Sequence, residues 1–152
     1  MRKVSRLGWS LLVLAIGLLM ACRVALAEFP PAAYARMQDA ASEVLQIEVL
    51  KVDGRIKRGA DKESHLTVTA KVVCMVRSAS GLRPGANITI RYSTVLKRSW
   101  GWAGPAPIGI LEPGVYTAYL DKSEAVYTPA ASGRSFAAPE HGAKPAPGGE
   151  RC

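Results

Sequence analysis

The run Leu66-Thr-Val-Thr-Ala-Lys-Val-Val-Cys-Met-Val-Arg77 reads as a β-strand from end to end. Leu66, Val68, Ala70, Val72, Cys74 and Val76 fall on one face. Thr67, Thr69, Lys71 and Arg77 fall on the other, with Val73 and Met75 as apolar exceptions. Successive side chains of a strand point to opposite faces, so this period of two predicts a half-buried strand. Twelve residues is long for a strand. Long, coiled strands suit small barrels, where one strand serves both sides of the closure.

Shorter runs with the same period flank it. In Val44–Val52, Leu45, Ile47 and Val49 alternate with Gln46 and Glu48, and then Leu50 and Val52 take the opposite phase. That slip predicts a bulge or a curling strand, and Asp53-Gly54 predicts a turn. Downstream, Leu82-Arg-Pro-Gly85 predicts a type II turn, with Pro84 presetting φ and Gly85 supplying the positive φ. Ile88, Ile90 and Tyr92 then alternate with Thr89 and Arg91. Leu111-Glu-Pro-Gly114 repeats the L-x-P-G turn ahead of Tyr116, Ala118 and Leu120. A last short strand is expected near Val126-Tyr127, a turn over Pro129–Gly133, and Ser135-Phe136 closes the domain. Between these strands, Lys97–Ile110 is rich in Gly, Pro and Trp and has neither period, which predicts a long loop.

The ends read differently. Residues 1–27 have the form of a secretory signal peptide: a basic Met1–Arg6, an uncharged apolar Leu7–Ala21, and an Ala25-Leu-Ala27 cleavage site before Glu28. Leu19-Met-Ala-Cys22 offers a competing reading, the lipobox of bacterial lipoproteins, in which Cys22 carries the lipid anchor. Removing residues 1–27 takes Arg2, Lys3, Arg6 and Arg23, four of the 20 basic residues, and none of the 12 acids. That leaves a net charge of +4 in place of +8. In residues 28–43, Tyr34, Met37 and Ala41 recur at helical spacing after Pro30-Pro31, predicting a short N-terminal helix. Residues 138–152 have no apolar period and cannot offset their ordering entropy, which predicts a disordered tail. Cys74 is read first as a buried free thiol packing as a small hydrophobe. A disulfide to Cys152 is the alternative that an oxidising compartment permits.

No chemistry announces itself. Only His65 and His141 offer imidazoles; His141 lies in the tail, and His65 beside Ser64 reads as a solvated residue at a strand start. Asp61, Glu63 and His65 alternate as metal ligands would, yet Lys57, Arg58 and Lys62 beside them favour a solvated charged loop. The sequence contains no G-x-S-x-G and no phosphate-binding glycine loop ahead of a helix. The expectation is therefore a non-enzyme with no cofactor and no metal. Lys97, Arg98, Trp100 and Trp102 would suit a nucleic-acid stacking platform, but export and the modest charge argue against nucleic acid. The same residues, with Pro105 and Pro107, are the expected contact surface for a protein, peptide or glycan; the competing reading puts Trp100 and Trp102 in the core as caps of the barrel end.

The strands and turns over residues 44–137 resemble the netrin-like module. This is the OB-fold barrel of tissue inhibitors of metalloproteinases and of complement C-terminal domains, shared by small exported bacterial proteins. The stretches that carry it are Glu48–Val52, Leu66–Arg77, Gly81–Gly85 with Ile88-x-Ile-x-Tyr92, Leu111–Leu120 and Ser135-Phe136. The resemblance implies an all-β fold: a small five-stranded antiparallel OB-like barrel, with a short N-terminal helix and a disordered C-terminal tail. Those inhibitors chelate zinc through a disulfide-held N-terminal cysteine, which Glu28 cannot supply. The expected function is thus an exported, periplasmic or secreted binding module of the cell envelope, with membrane attachment only through Cys22. Inhibition of an envelope or extracellular protease is the alternative.

Overall fold

The long strand runs further than its apolar alternation. β2 spans Glu63–Ser78, preceded by β1 (Glu43–Gly54) and followed by β3 (Asn87–Val95), β4 (Gly114–Ser123), β5 (Val126–Pro129) and a two-residue β6 (Phe136–Ala137). Among the described residues one helix, α1 (Pro31–Ala40), precedes them, and a 3-10 turn, Ser132–Arg134, precedes β6. The structure is a computed structural model describing residues 28–55, 63–95, 104–138 and 152. The leader with Cys22, Asp61, the loop residues 96–103 and tail residues 139–151 lie outside the described residues.

The strands close into a barrel in the order β1-β2-β3-β5-β4-β1, with β6 added to β4. The barrel is mixed, and the expectation of an antiparallel sheet throughout is corrected here. The β1–β2, β2–β3, β1–β4 and β4–β5 seams are antiparallel; β3 and β5 run parallel and meet at Ile90↔Tyr127. Parity requires this. Directions cannot alternate all the way round a ring with an odd number of strands, so one seam of five must be parallel.

The two long strands curl by bulging. Leu45 pairs with Met75 and Val44 with Arg77, so Val76 is an extra residue opposite β1. Val73 and Leu50 are extra at the other two register shifts. The bulge expected near Leu50 is where the second phase begins. Val76, expected on the inner face, is 64% exposed, because the bulge turns it out and lets Met75 pack on the core. At the first L-x-P-G, Gly85 has φ +88° and the Ala86 N–H donates to the Arg83 carbonyl. Those are the features of the expected type II turn. The second L-x-P-G departs from the first: Gly114 is extended, pairs with Val49 and opens β4.

Leu45, Ile47, Val68, Val72, Ile90, Ala118 and Leu120 fill the interior and are fully buried. Cys74 is buried too, and the free-thiol reading gives way: Cys74 and Cys152 form a disulfide, 5.4 Å between Cα atoms. The Cys152 N–H donates to the Met75 carbonyl. Helix α1 starts on Pro31 at a first-turn position where no N–H is needed. Its end is held from β2: Arg77 Nη2 donates to the carbonyls of Asp39 (2.8 Å) and Ala41 (2.7 Å). Carbonyls at a helix end have no intrahelical partner, so the guanidinium satisfies groups that would otherwise need water.

Candidate functional site

The last part of the Trp/Pro loop is tied down residue by residue. The Ala106 N–H donates to Tyr34 Oη (2.7 Å) on α1, and the Ala106 carbonyl accepts from the Gly133 N–H (2.8 Å). Thr94 Oγ1 donates to the Ile108 carbonyl. Tyr92 Oη donates to the Gly109 carbonyl (3.1 Å) and accepts from the Leu111 N–H (3.3 Å). Burial raises the Tyr92 pKa above the usual tyrosine value, outweighing the lowering by the Leu111 N–H. The phenol therefore stays neutral and fills both roles, donor and acceptor. Leu111 is buried, and Ile108 and Ile110 pack against the core. Pro105 and Pro107, expected at the contact surface, are half-buried in this pinned segment. Lys97, Arg98, Trp100 and Trp102 lie outside the described residues.

A cleft of about 420 Å³ opens beside this segment, between α1 and the 3-10 turn. Phe29, Pro31, Tyr34, Gln38, Arg134 and Glu28 are among its lining residues. Phe29 is 40% exposed and tilts against Tyr34, with ring centroids 5.9 Å apart. Gln38 Nε2 donates to the Arg134 carbonyl (2.7 Å), joining the two walls. Tyr34 belongs to both places: its ring lines the cleft and its hydroxyl holds Ala106. Cleft and loop segment therefore share one face.

Gly133 makes that junction possible. A Cβ there would lie 2.7 Å from the Pro107 carbonyl oxygen and 2.9 Å from the Ala106 Cβ. Gly133→Ala should push the loop segment off the 3-10 turn, at a cost of about 1–3 kcal/mol. Hydrogen exchange checks this: the Gly133 and Ala106 amides lose protection, while the β1–β2 amides keep theirs.

No protein family, curated protein or solved structure matches this chain. The site must therefore be read from its own side chains.

His65, read as a solvated residue at a strand start, is exposed near the start of β2. Ser64, the sequence neighbour, turns inward and is fully buried. The His65 Nδ1 lies 2.7 Å from the Oγ of Ser93, its register partner on β3. Among the described residues no carboxylate hydrogen-bonds to the imidazole, and none of them supplies the third member of a nucleophilic triad. No group of three His, Cys, Asp or Glu residues suited to a metal occurs among the described residues. Glu43 is fully buried; its Oε1 accepts from the Ser80 N–H (2.8 Å), and its Oε2 has no partner among the described residues.

The cleft residues Phe29, Gln38 and Arg134 escaped the sequence reading. Gln38 and Arg134 are 96 positions apart, and nothing in their local patterns couples them.

Proposed function

We propose that the chain is an exported, non-enzymatic binding module of the cell envelope, with loop residues 97–110 as its contact surface. The observation that carries this reading is the pinned segment Gly104–Leu111, which shares a face with the aromatic-lined cleft. A loop that has already lost its conformational freedom at one end gives up less on binding. Trp100 and Trp102 are the natural anchors, because aromatic residues dominate interface energetics. The partner class is a protein, peptide or glycan that fills the cleft beside the loop.

Two further observations support parts of the reading. The strand order with a single parallel β3–β5 seam favours the OB-like assignment of the barrel. The Cys74–Cys152 disulfide agrees with an oxidising compartment, periplasmic or extracellular. Intact mass of the protein from its native envelope reads the export route directly. A chain starting at Glu28 supports a released module, a lipid-modified Cys22 supports membrane attachment, and an unprocessed cytoplasmic chain overturns export.

The contact surface is tested with Trp100→Ala/Trp102→Ala. Two anchors lost at about 1–2 kcal/mol each should weaken capture of the envelope partner by about 30-fold or more. The thermal melt should stay near that of the parent. Undiminished capture overturns the assignment, and an unfolded variant shows that the tryptophans belong to the core.

A further inference from the structure

The outer face of β2 and β3 carries a second concave site. A groove of about 280 Å³ is lined by His65, Thr67, Arg91 and Ser93, with Leu66 and Tyr92 between them. The register sets its geometry. His65 faces Ser93 and Thr67 faces Arg91, so two antiparallel strands place an imidazole, two hydroxyls and a guanidinium in one patch. His65 and Arg91 are exposed, and Thr67 and Ser93 half-buried.

Two of these groups are unspent. The Arg91 guanidinium and the Thr67 hydroxyl make no hydrogen bond or ion pair among the described residues. A guanidinium presents five N–H donors in a fork that matches an oxyanion. Ser93 Oγ already has a partner in His65 Nδ1, 2.7 Å away. With the Nδ1–H tautomer, His65 donates to Ser93 Oγ, and the serine proton is left to point outward. Among the described residues the groove thus offers donors from Arg91, Ser93 and Thr67 and no carboxylate, the His65 Nε2 being its one imidazole acceptor in that tautomer. Glu63 is the one acid that β2 and β3 expose among the described residues; it stands two positions before His65 and does not line the groove.

We propose that this groove binds a tetrahedral oxyanion, the phosphate or sulfate monoester group of a larger molecule. Charge-assisted hydrogen bonds from Arg91 supply the affinity. The His65–Ser93 pair supplies orientation: with the Nδ1–H tautomer it fixes the serine oxygen and leaves the hydroxyl proton to the ligand. This inference does not depend on the Trp/Pro loop reading, since it is argued from β2 and β3 residues alone, and Pro105 and Pro107, the described contact residues of the loop, do not line the groove.

Amide shifts of the ¹⁵N-labelled chain, titrated with inorganic phosphate and inorganic sulfate, test it. Saturable shifts confined to residues 65–67 and 91–93, with a Kd of about 1 mM, are expected. Arg91→Ala should weaken binding at least about tenfold and Ser93→Ala several-fold, with unchanged melts because both side chains face outward. Trp100→Ala/Trp102→Ala should bind as the parent does. Glycerol 1-phosphate and glucosamine 6-sulfate, run beside the inorganic ions, distinguish a lipid headgroup from a glycan source; equal binding of all four shows that the oxyanion alone is recognised. Shifts that fail to saturate, spread over the surface or survive in Arg91→Ala overturn the proposal.

Discussion

Ile90→Ala should cost about 3–4 kcal/mol and open the barrel at one seam before any other. Ile90 is completely buried in the core and is the β3 residue that bridges to Tyr127 of β5. Truncating a buried isoleucine removes its transfer free energy and leaves a cavity, a loss of about 2–5 kcal/mol. Domains of this size have only about 5–15 kcal/mol in total, so the melt should fall by roughly 15–25 °C. The seam makes the effect local as well as large. β1–β2 and β2–β3 are zipped along most of their lengths, whereas β3 and β5 share one bridging pair. A cavity there removes the packing that holds β5 against β3. In native-state hydrogen exchange, the amides of Val126–Thr128 should then open at lower free energy than those of β1. Ile47→Ala is the control: Ile47 is equally buried but is paired on both sides, with β2 and with β4. It should show a similar loss with no separate opening of β5. Equal protection of β5 and β1 in Ile90→Ala would mean that closure does not rest on this bridge.

The same seam marks where reading the sequence stopped. Every long strand was legible, because a half-buried strand writes its two faces into alternate positions. Even the slip at Leu50 was visible, as a change of phase within one run. Val76 was not. It continues the apolar alternation of β2, and only its mispairing with β1 turns it outward. Register between strands is a pairwise property, and a single run cannot carry it. The parallel seam was within reach in principle, since counting five strands in a closed ring already forbids full alternation.

The candidate site divides along similar lines. Gly104–Ile110, the described end of the expected loop, has no regular structure, as the Gly and Pro that break both periods there imply. The cleft was not legible, because its walls come from α1 and from Ser132–Arg134 at the far end of the chain. For His65 the sequence pointed to no partner, and its sequence neighbour Ser64 is buried on the other face. Alternation sends neighbours to opposite faces, and the partner came from the strand across the register, Ser93. A rule follows for strand-borne sites. The relevant neighbour of a polar residue in a strand lies two positions away or on the adjacent strand, never next to it.

Breaking the Cys74–Cys152 bridge should destabilise the domain by at least about 1.5 kcal/mol, and two loop lengths set the range. The bridge closes a loop spanning 78 positions. In the chain-entropy treatment, closing such a loop in the unfolded chain is worth about 4.5 kcal/mol. In the folded state the bridge also closes the segment from Ala138 to Cys152, roughly 14 residues. If that segment is held by nothing else, only the difference counts, (3/2)RT times the logarithm of the length ratio, or about 1.5 kcal/mol. If the fold holds the segment independently, the full value applies. The lower limit corresponds to a melt lowered by about 6–12 °C. Cys152→Ser and chemical reduction should agree, because the serine variant removes the bridge without touching the buried Cys74 position. There is a second consequence at the sheet edge. β3 pairs with β2 only as far as Lys71, so the stretch of β2 beyond Val72 is an overhang. Its edge is met by Gly85 at the Val72 carbonyl and by Cys152 at the Met75 carbonyl. An uncovered strand edge is a template for pairing with another chain. Reduction should therefore raise concentration-dependent association as well as lower the melt, while the Gly85 contact to Val72 stays in place. A reduced protein with an unchanged melt would show that the bridge does nothing for the fold, and would remove the disulfide as an argument for an oxidising compartment.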